Sequence, residues 1–310
     1  MIPREIEIAG RKIGDGHEPF IVGEVGVNHN GSRGRALSMC MAAKEAGCDA
    51  VKFGTFKADE FCAKDDPLYQ TFKLCEFNEA DWYEIKALCD RLGIIFFSTP
   101  QNESDMQLLL RVGVPCLKIG SDDLTKLELV QTYAGTRLPL ILSIGMADEL
   151  DVKYALRAAW HGQVLVCVCT SEYPCPPEHA NLGRLTKLRK LMPAHMPTGF
   201  SDHTVGPTAA AAAVALGAAY FEKHFTLDNT LPGPDHHFSA DPTALWAWAK
   251  AIRDAHAALG SGEILPTDAE RKQRGKWRRK TGQQIRGIPM QYDENHPELG
   301  VYLTAPSVWS

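Results

Sequence analysis

IIFFSTPQNESDMQLLLRVGVPCLKIG, residues 94–120, holds one full turn of the pattern that decides the fold. Ile94–Ser98 is a short apolar run. Between 103 and 112, apolar residues recur at helical spacing, and Gly113 closes the segment. Cys116–Ile119 is a second apolar run. Runs this short, apolar on both sides and separated by an amphipathic helix, read as parallel strands joined by a crossover.

The same alternation extends outward in both directions. Further runs lie at Phe20–Val25, Asp49–Phe53, Leu138–Ser143, Val164–Cys169, Pro197–Phe200 and Ala219–Phe225. Helical patterns fall near 35–46, 79–92, 123–134, 149–160, 180–192, 207–216 and 242–259. Eight strand candidates with helices between them, in about 240 residues, predict an α/β fold of the (β/α)8 TIM-barrel type. A doubly wound open sheet is the alternative architecture. The barrel domain is expected over 1–260. Residues 54–78 are long for a connection and predict an excursion over the barrel mouth. From 261 the pattern changes to Gly-Ser-Gly-Glu, a basic ERKQRGKWRRK and a Pro-containing end. Residues 261–310 are therefore expected to be a C-terminal extension or arm, too short for a separate domain.

Of the 310 residues, 45% are hydrophobic and 23% charged, with net charge −5. No basic excess marks the chain for nucleic acid or an anionic membrane. An anion site must be built locally. No apolar run of about 18 residues is available to span a bilayer. MIPREIEIAG lacks the layout of a signal peptide. The nine cysteines include Cys40, Cys48, Cys116, Cys167 and Cys169 inside apolar runs. That pattern predicts reduced, buried thiols and a cytoplasmic protein. Cys167 and Cys169 point to one side of a strand, which leaves a metal pair open.

In a parallel barrel the active site sits at the C-terminal strand ends. All eight ends are polar. In chain order they supply Glu24, Lys52, Thr99, Lys118 with Ser121 and Asp123, Ser143, Ser171 with Tyr173, Ser201 with His203, and Glu222 with His224; Asp235 follows in the next loop. Lys52 and Lys118 sit in apolar runs, AVKF and CLKIG, where a desolvated ammonium needs an anionic partner. With Thr99, Ser121, Ser143 and Ser201 they would cradle a phosphate and a carboxylate. Gly120 and Gly145 would let backbone approach the same ligand. A single Schiff-base lysine and a structural ion pair are the alternatives. His203 and His224 end neighbouring strands, and two imidazoles facing one mouth make a divalent-metal site once carboxylate or water completes it. Taken singly, each is a hydrogen-bonded core histidine. His29 stays ambiguous, and His237 reads as a loop residue.

Taken in order, the motifs IVGEVGVNHNG, DAVKF, FFSTP, KIGSDDL, ILSIGMA, CTSEYP, GFSDHT, EKHFTLD and LPGPDH resemble the N-acetylneuraminate (sialic acid) synthase family. They run from residue 20 to about 241. The resemblance implies a (β/α)8 barrel followed by a small antifreeze-like domain. It implies an enzyme, a transferase that joins phosphoenolpyruvate to the open-chain aldehyde of an N-acetylhexosamine. The products would be a nine-carbon 2-keto-3-deoxy acid and phosphate. Lys52, Thr99, Lys118, Ser121, Ser143, Ser171 and Ser201 would then hold phosphoenolpyruvate. His203 and His224 would bind a divalent metal, Mn or Mg, with other transition metals open. Glu24, Tyr173 and Asp235 would contact the sugar. Glu24, Asp123 and Lys118 would be catalytic. The implied partners are the two small-molecule substrates, with a homodimer open, and neither nucleic acid nor membrane.

Four departures from the family pattern stand out. Gly54 replaces a sugar-contacting Gln. Asp123 replaces the Glu that ends the KIGS motif. Ser171 replaces an Asn. No antifreeze-like domain, with its sugar-contacting Arg, is read after residue 260. Three of the four touch the sugar side, so the expectation is a kept reaction class with an altered acceptor. A non-catalytic barrel that binds phosphoenolpyruvate or sugar within a larger complex is the competing reading.

Overall fold

A computed structural model describes residues 3–160 and 162–277. The chain divides after Leu259 into two units. The first contains every predicted strand.

It opens with a hairpin absent from the sequence reading, β1 (Glu5–Ile8) and β2 (Arg11–Gly14), paired antiparallel. Ile6, Ile8 and Ile13 from it join the main core. The pattern was hidden because the two strands are only four residues long each. There follow β3 (Phe20–Gly26), α1 (Arg33–Glu45), β4 (Ala50–Thr55), α2 (Ala58–Phe61), α3 (Tyr69–Leu74), α4 (Glu79–Leu92), β5 (Ile95–Pro100) and α5 (Glu103–Val112). The second half has β6 (Leu117–Ile119), α6 (Leu127–Gly135), β7 (Leu140–Ser143), α7 (Glu149–Ala158), β8 (Val164–Cys169), α8 (Gly183–Leu191), β9 (Thr198–Ser201), α9 (Thr208–Ala215), β10 (Ala218–His224) and α10 (Pro242–Leu259).

β3 to β10 pair in parallel, each with its sequence neighbour, and β10 pairs back onto β3. The sheet is closed, so the open-sheet alternative falls. Closure removes both edges and buries strand residues on either face; β8, VLVCVC, is buried at every position. The surrounding helices start and stop where local chemistry dictates. Asn78 and Asp148 each form a capping box with an Asp three residues on, satisfying amide donors at the starts of α4 and α7. Gly113 ends α5 at φ 83°, a left-handed conformation that costs other residues a steric penalty.

The excursion over 54–78 forms α2 and α3. Phe56, Phe61 and Phe72 make a small aromatic cluster there, with ring centroids 4.9–5.6 Å apart. Val27 and Cys75 complete its buried part. The second unit contains α11 (Asp268–Trp277), which carries Arg271 and Arg274. Arg278, Arg279 and Arg286 of the predicted basic extension lie outside the described residues.

Candidate active site

Side chains alternate across a strand, so each barrel strand sends one residue near its C-terminal end into the lumen. Glu24, Lys52, Thr99, Lys118, Ser143, Cys169, Ser201 and Glu222 all line one cavity of about 540 Å³ at the barrel mouth. So do Ser121, Ser171, Tyr173, His203, His224 and Asp235. Every sequence-derived site residue is there except Asp123.

The floor is a buried charge quartet. Lys118 Nζ donates to both oxygens of Glu222 at 2.9 Å. Lys52 Nζ is ion-paired to Glu24, lies 3.7 Å from Glu222 Oε1 and donates to Thr99 Oγ1 at 3.0 Å. Tyr220 donates to Glu222 Oε2 at 2.6 Å, and Ser201 Oγ to Oε1 at 3.3 Å. Glu222 was given no role from the sequence, although its spacing from His224 was a usable signal: residues two apart on a strand share a face.

Two cations and two carboxylates thus share a buried site, and the carboxylates respond oppositely. Burial drives the Glu24 pKa up, Lys52 draws it down and Glu222 pushes it up again, leaving it at about 7. Burial also opposes ionisation of Glu222, but Lys118 and Lys52 outweigh it and hold that carboxyl well below the usual range. For Lys118, burial disfavours the ammonium, yet the charge and hydrogen bond of Glu222, with Cys167 and Glu24, together more than restore it. Split carboxylate pKa values in one cleft mark an acid–base site.

Above the floor the wall is lined by hydroxyls and exposed backbone. The hydroxyls of Ser143 and Ser171 are buried without a hydrogen-bond partner. Gly145 N donates to Ser121 Oγ at 2.9 Å. A Cβ on Gly145 would stand 2.6 Å from that oxygen and would also strike Ser171 Oγ, so glycine keeps the hollow open.

Asp123 departs from expectation. Its half-buried carboxylate faces Lys126 Nζ, 3.8 Å away, and it is Asp122 that lines the cavity. Residues 121–125 form a turn, so successive side chains diverge. The Asp122 carboxylate lies where a side chain on Gly120 would be. The motif position points to Asp123, whereas the acid that lines the cavity is its neighbour Asp122.

His203 and His224 stand side by side, ring centroids 5.6 Å apart. His203 Nδ1 lies 2.6 Å from Thr170 O and so donates to it; burial opposes the charged ring, but Cys169 and this carbonyl outweigh it and raise the His203 pKa above its ordinary value. His224 Nδ1 is buried without a hydrogen-bond partner and lies 3.7 Å from Asp235 Oδ2. Burial, then His203 and Lys52, hold the His224 pKa well below normal, so its ring is neutral. Tyr173 packs over His203 at 4.2 Å, and Phe238 stands 5.3 Å from His224. Two adjacent imidazoles, one of them oriented by a backbone carbonyl, fit a divalent cation. Among the described residues no third His, Cys, Asp or Glu completes a ligand cluster, so water or substrate oxygen would fill the shell. Cys167 and Cys169 are both free thiols, and Cys169 Sγ lies 3.8 Å from His203 Nδ1.

The NHNG segment after β3 has a supporting task. Asn28 Nδ2 donates to Phe225 O at 2.9 Å and to Ser239 Oγ at 3.0 Å. Asn30 Nδ2 donates to Pro232 O at 2.8 Å. These bonds pin the loop that carries Asp235. His29 stacks on Phe77 at 4.3 Å, and burial with Arg35 nearby lowers its pKa to about 3. It is a neutral packing residue. His237 is exposed, as expected.

The NeuB family profile matches residues 39–264. The chain is 40% identical over 272 residues to an N,N'-diacetyllegionaminic acid synthase of Legionella pneumophila, covering 81% of this chain and 76% of that protein. It is 32% identical over 286 residues to the N-acetylneuraminate-9-phosphate synthase of Homo sapiens, covering 86% and 79%. Among solved structures, an N-acetylneuraminic acid synthetase from Leptospira borgpetersenii, in complex with citrate, superposes with TM-score 0.82 at 31% identity, over 87% of this chain and 95% of that one. Fold, cavity and sequence agree, and the chain belongs to the NeuB family.

Proposed function

We propose that the protein condenses phosphoenolpyruvate with an open-chain N-acetylhexosamine-type aldose, giving a nine-carbon 2-keto-3-deoxy sugar acid and phosphate. The observation that carries this reading is the pair of buried ammonium groups, Lys52 and Lys118, set beneath the adjacent rings of His203 and His224 in one cavity. Lys52, Lys118 and Thr99, with Ser121, Ser143, Ser171 and Ser201, receive the phosphate and carboxylate. The unpartnered hydroxyls of Ser143 and Ser171 are the donors best placed to gain a partner. Glu24, Tyr173 and Asp235 orient the aldose. The apolar wall from Phe56, Phe61, Leu68 and Phe72 suits an acyl or deoxygenated end of it.

A divalent ion on His203 and His224, Mn or Mg, would supply Lewis-acid polarisation of the aldehyde oxygen. The methylene carbon of phosphoenolpyruvate forms the new C–C bond to the aldehyde carbon. Glu24, protonated in part near neutrality, gives its proton to the resulting oxygen. Positive charge at the phosphate-bearing carbon is met by Glu222, which stays ionised. Water adds there and returns a proton to Glu24. The C–O bond to phosphate then breaks, the remaining hydroxyl proton leaves with the phosphate, and the 2-keto group remains. Lys118 neutralises the departing charge.

Nine free cysteines suit a reducing, cytoplasmic setting. No helix among the described residues is long and apolar enough to cross a membrane. The test is phosphate release from phosphoenolpyruvate with Mn(II) across a panel of aldoses, N-acetylmannosamine included, with His203→Ala as control. Release that needs one acceptor and is lost in the variant supports the reading. Bound phosphoenolpyruvate without release under any acceptor would favour a binding subunit instead.

A further inference from the structure

Directly behind the two histidines, on the outer face of the barrel, lies a second buried ion pair that the chemistry does not use. Strand alternation turns Ser201 and His203 inward and Asp202 outward; likewise Glu222 and His224 inward and Lys223 outward. Asp202 and Lys223 therefore meet on the side facing α10. Lys223 Nζ donates to Asp202 Oδ2 at 3.1 Å and to Thr204 O at 2.5 Å. Trp248 of α10 donates its indole N–H to the same Oδ2 at 2.8 Å, and Lys223 Nζ lies 5.7 Å from the Trp248 ring. The other carboxylate oxygen takes the Thr204 amide at 2.8 Å and its hydroxyl at 2.7 Å. The Asp202 side chain is 0% exposed and Lys223 7%.

Every acceptor site of that carboxylate is filled, so its position is tightly determined. One end of the brace is covalently next to His203 and the other next to His224. The ammonium also grips the carbonyl just beyond His203. The brace thus ties together the two backbone segments whose spacing sets the distance between the rings. A pair whose only task was stability could be replaced by apolar side chains at little cost. Placed here, it has a geometric consequence.

We propose that the Asp202–Lys223 pair, held by Trp248, is a positioning device that fixes the separation of His203 and His224 and so tunes affinity for the divalent cation, a role that rests on the divalent-ion reading of those histidines. Outer-shell partners of metal ligands typically change affinity roughly 10–100-fold when removed. The test is Mn(II) titration of the full chain, followed by the electron paramagnetic resonance signal of free Mn(II). Wild type is compared with Lys223→Met, Trp248→Phe and Leu109→Ala. The last lowers stability from α5, where Leu109 is buried away from β9 and β10. Lys223→Met and Trp248→Phe are expected to weaken Mn(II) binding within that range, while Leu109→Ala leaves it unchanged. Trp248→Phe keeps the aromatic volume and carries the test if Lys223→Met does not fold. Wild-type affinity in folded Trp248→Phe and Lys223→Met, with only a lower melting temperature, overturns the positioning role alone. Absence of Mn(II) binding by the wild type overturns the divalent-ion reading and the brace's role with it.

Discussion

Replacing Glu222 with Gln isolates the electrostatics of the cavity floor. Glu222 is the common partner of Lys118 and Lys52, Tyr220 and Ser201. The amide keeps the shape and can still accept hydrogen bonds, but it removes one of two carboxylates balancing two buried ammonium groups. Breaking a buried pair by neutralising one partner costs about 3–5 kcal/mol. Glu24 softens the loss: Glu222 is among the charges that raise its pKa, so without that neighbour it ionises more fully. For a domain of this size each kcal/mol moves the melting temperature by about 2–4 °C, so the expected fall is about 6–20 °C, weighted to the lower end.

The same excess positive charge should reverse sign once an anion arrives. A unit charge about 5 Å away at an effective dielectric near 20 contributes on the order of 3 kcal/mol. Phosphoenolpyruvate should therefore stabilise Glu222→Gln more than it stabilises wild type, while turnover falls because the charge facing the developing cation is gone. Thermal unfolding by circular dichroism, with and without phosphoenolpyruvate, reads both effects. A variant that melts within about 2 °C of wild type and gains no more from phosphoenolpyruvate would refute the charge quartet as the organising feature of the site.

Three further outcomes follow from the geometry. Asp123→Asn should leave kcat/KM within about 2-fold, the level of an ordinary surface change, because the carboxylate faces Lys126 and not the cavity; a loss of several orders of magnitude would return Asp123 to the chemistry. Asn28→Ala should cost about 1–3 kcal/mol in urea unfolding by leaving the Phe225 carbonyl unpaired, and should raise KM for the aldose more than for phosphoenolpyruvate, since the Asp235 loop loosens. Phosphoenolpyruvate binding at pH 7.5 should take up a fraction of a proton: Glu24, at about 7 and largely ionised there, is pushed further up by the incoming negative charge. Calorimetry in buffers of different ionisation enthalpy measures that uptake, and it should vanish in Glu24→Gln.

The barrel was legible because a buried parallel strand has few ways to be written. IFFSTP, LILS and VLVCVC lie within two residues of where their apolar runs placed them, and the helices between them carry plain periodicity and capping signals. The hairpin at the start was missed because strands of four residues give too short a pattern to separate from a loop. Within the site, the lumen-facing set was legible wherever a polar residue interrupted an apolar run, as at Lys52 and Lys118. It failed in two kinds of place. In EKH three polar residues stand together, and only the two-residue period, anchored on His224, separates the inward Glu222 from the outward Lys223. In GSDDL the residues lie on a turn, where no period exists, and the choice between Asp122 and Asp123 depends on backbone dihedrals that the sequence does not state.

The charge arrangement also explains how an acidic chain, net −5, can hold a ligand as anionic as phosphoenolpyruvate. Two unpaired lysines in a buried site would be too costly, and two lysines fully paired to strong acids would not release to bind another anion. The site resolves this by pairing them with carboxyls of unequal strength. Glu222 stays charged under any physiological condition and keeps Lys118 oriented. Glu24, near its midpoint at neutrality, is the weaker partner of Lys52 and yields when substrate charge approaches. Yielding means taking a proton, and a protonated Glu24 is what the aldehyde oxygen needs one step later. Under the proposed function, binding of phosphoenolpyruvate would thereby prepare the acid for the aldose, and the order of events would follow from the difference between two buried carboxyls on neighbouring strands.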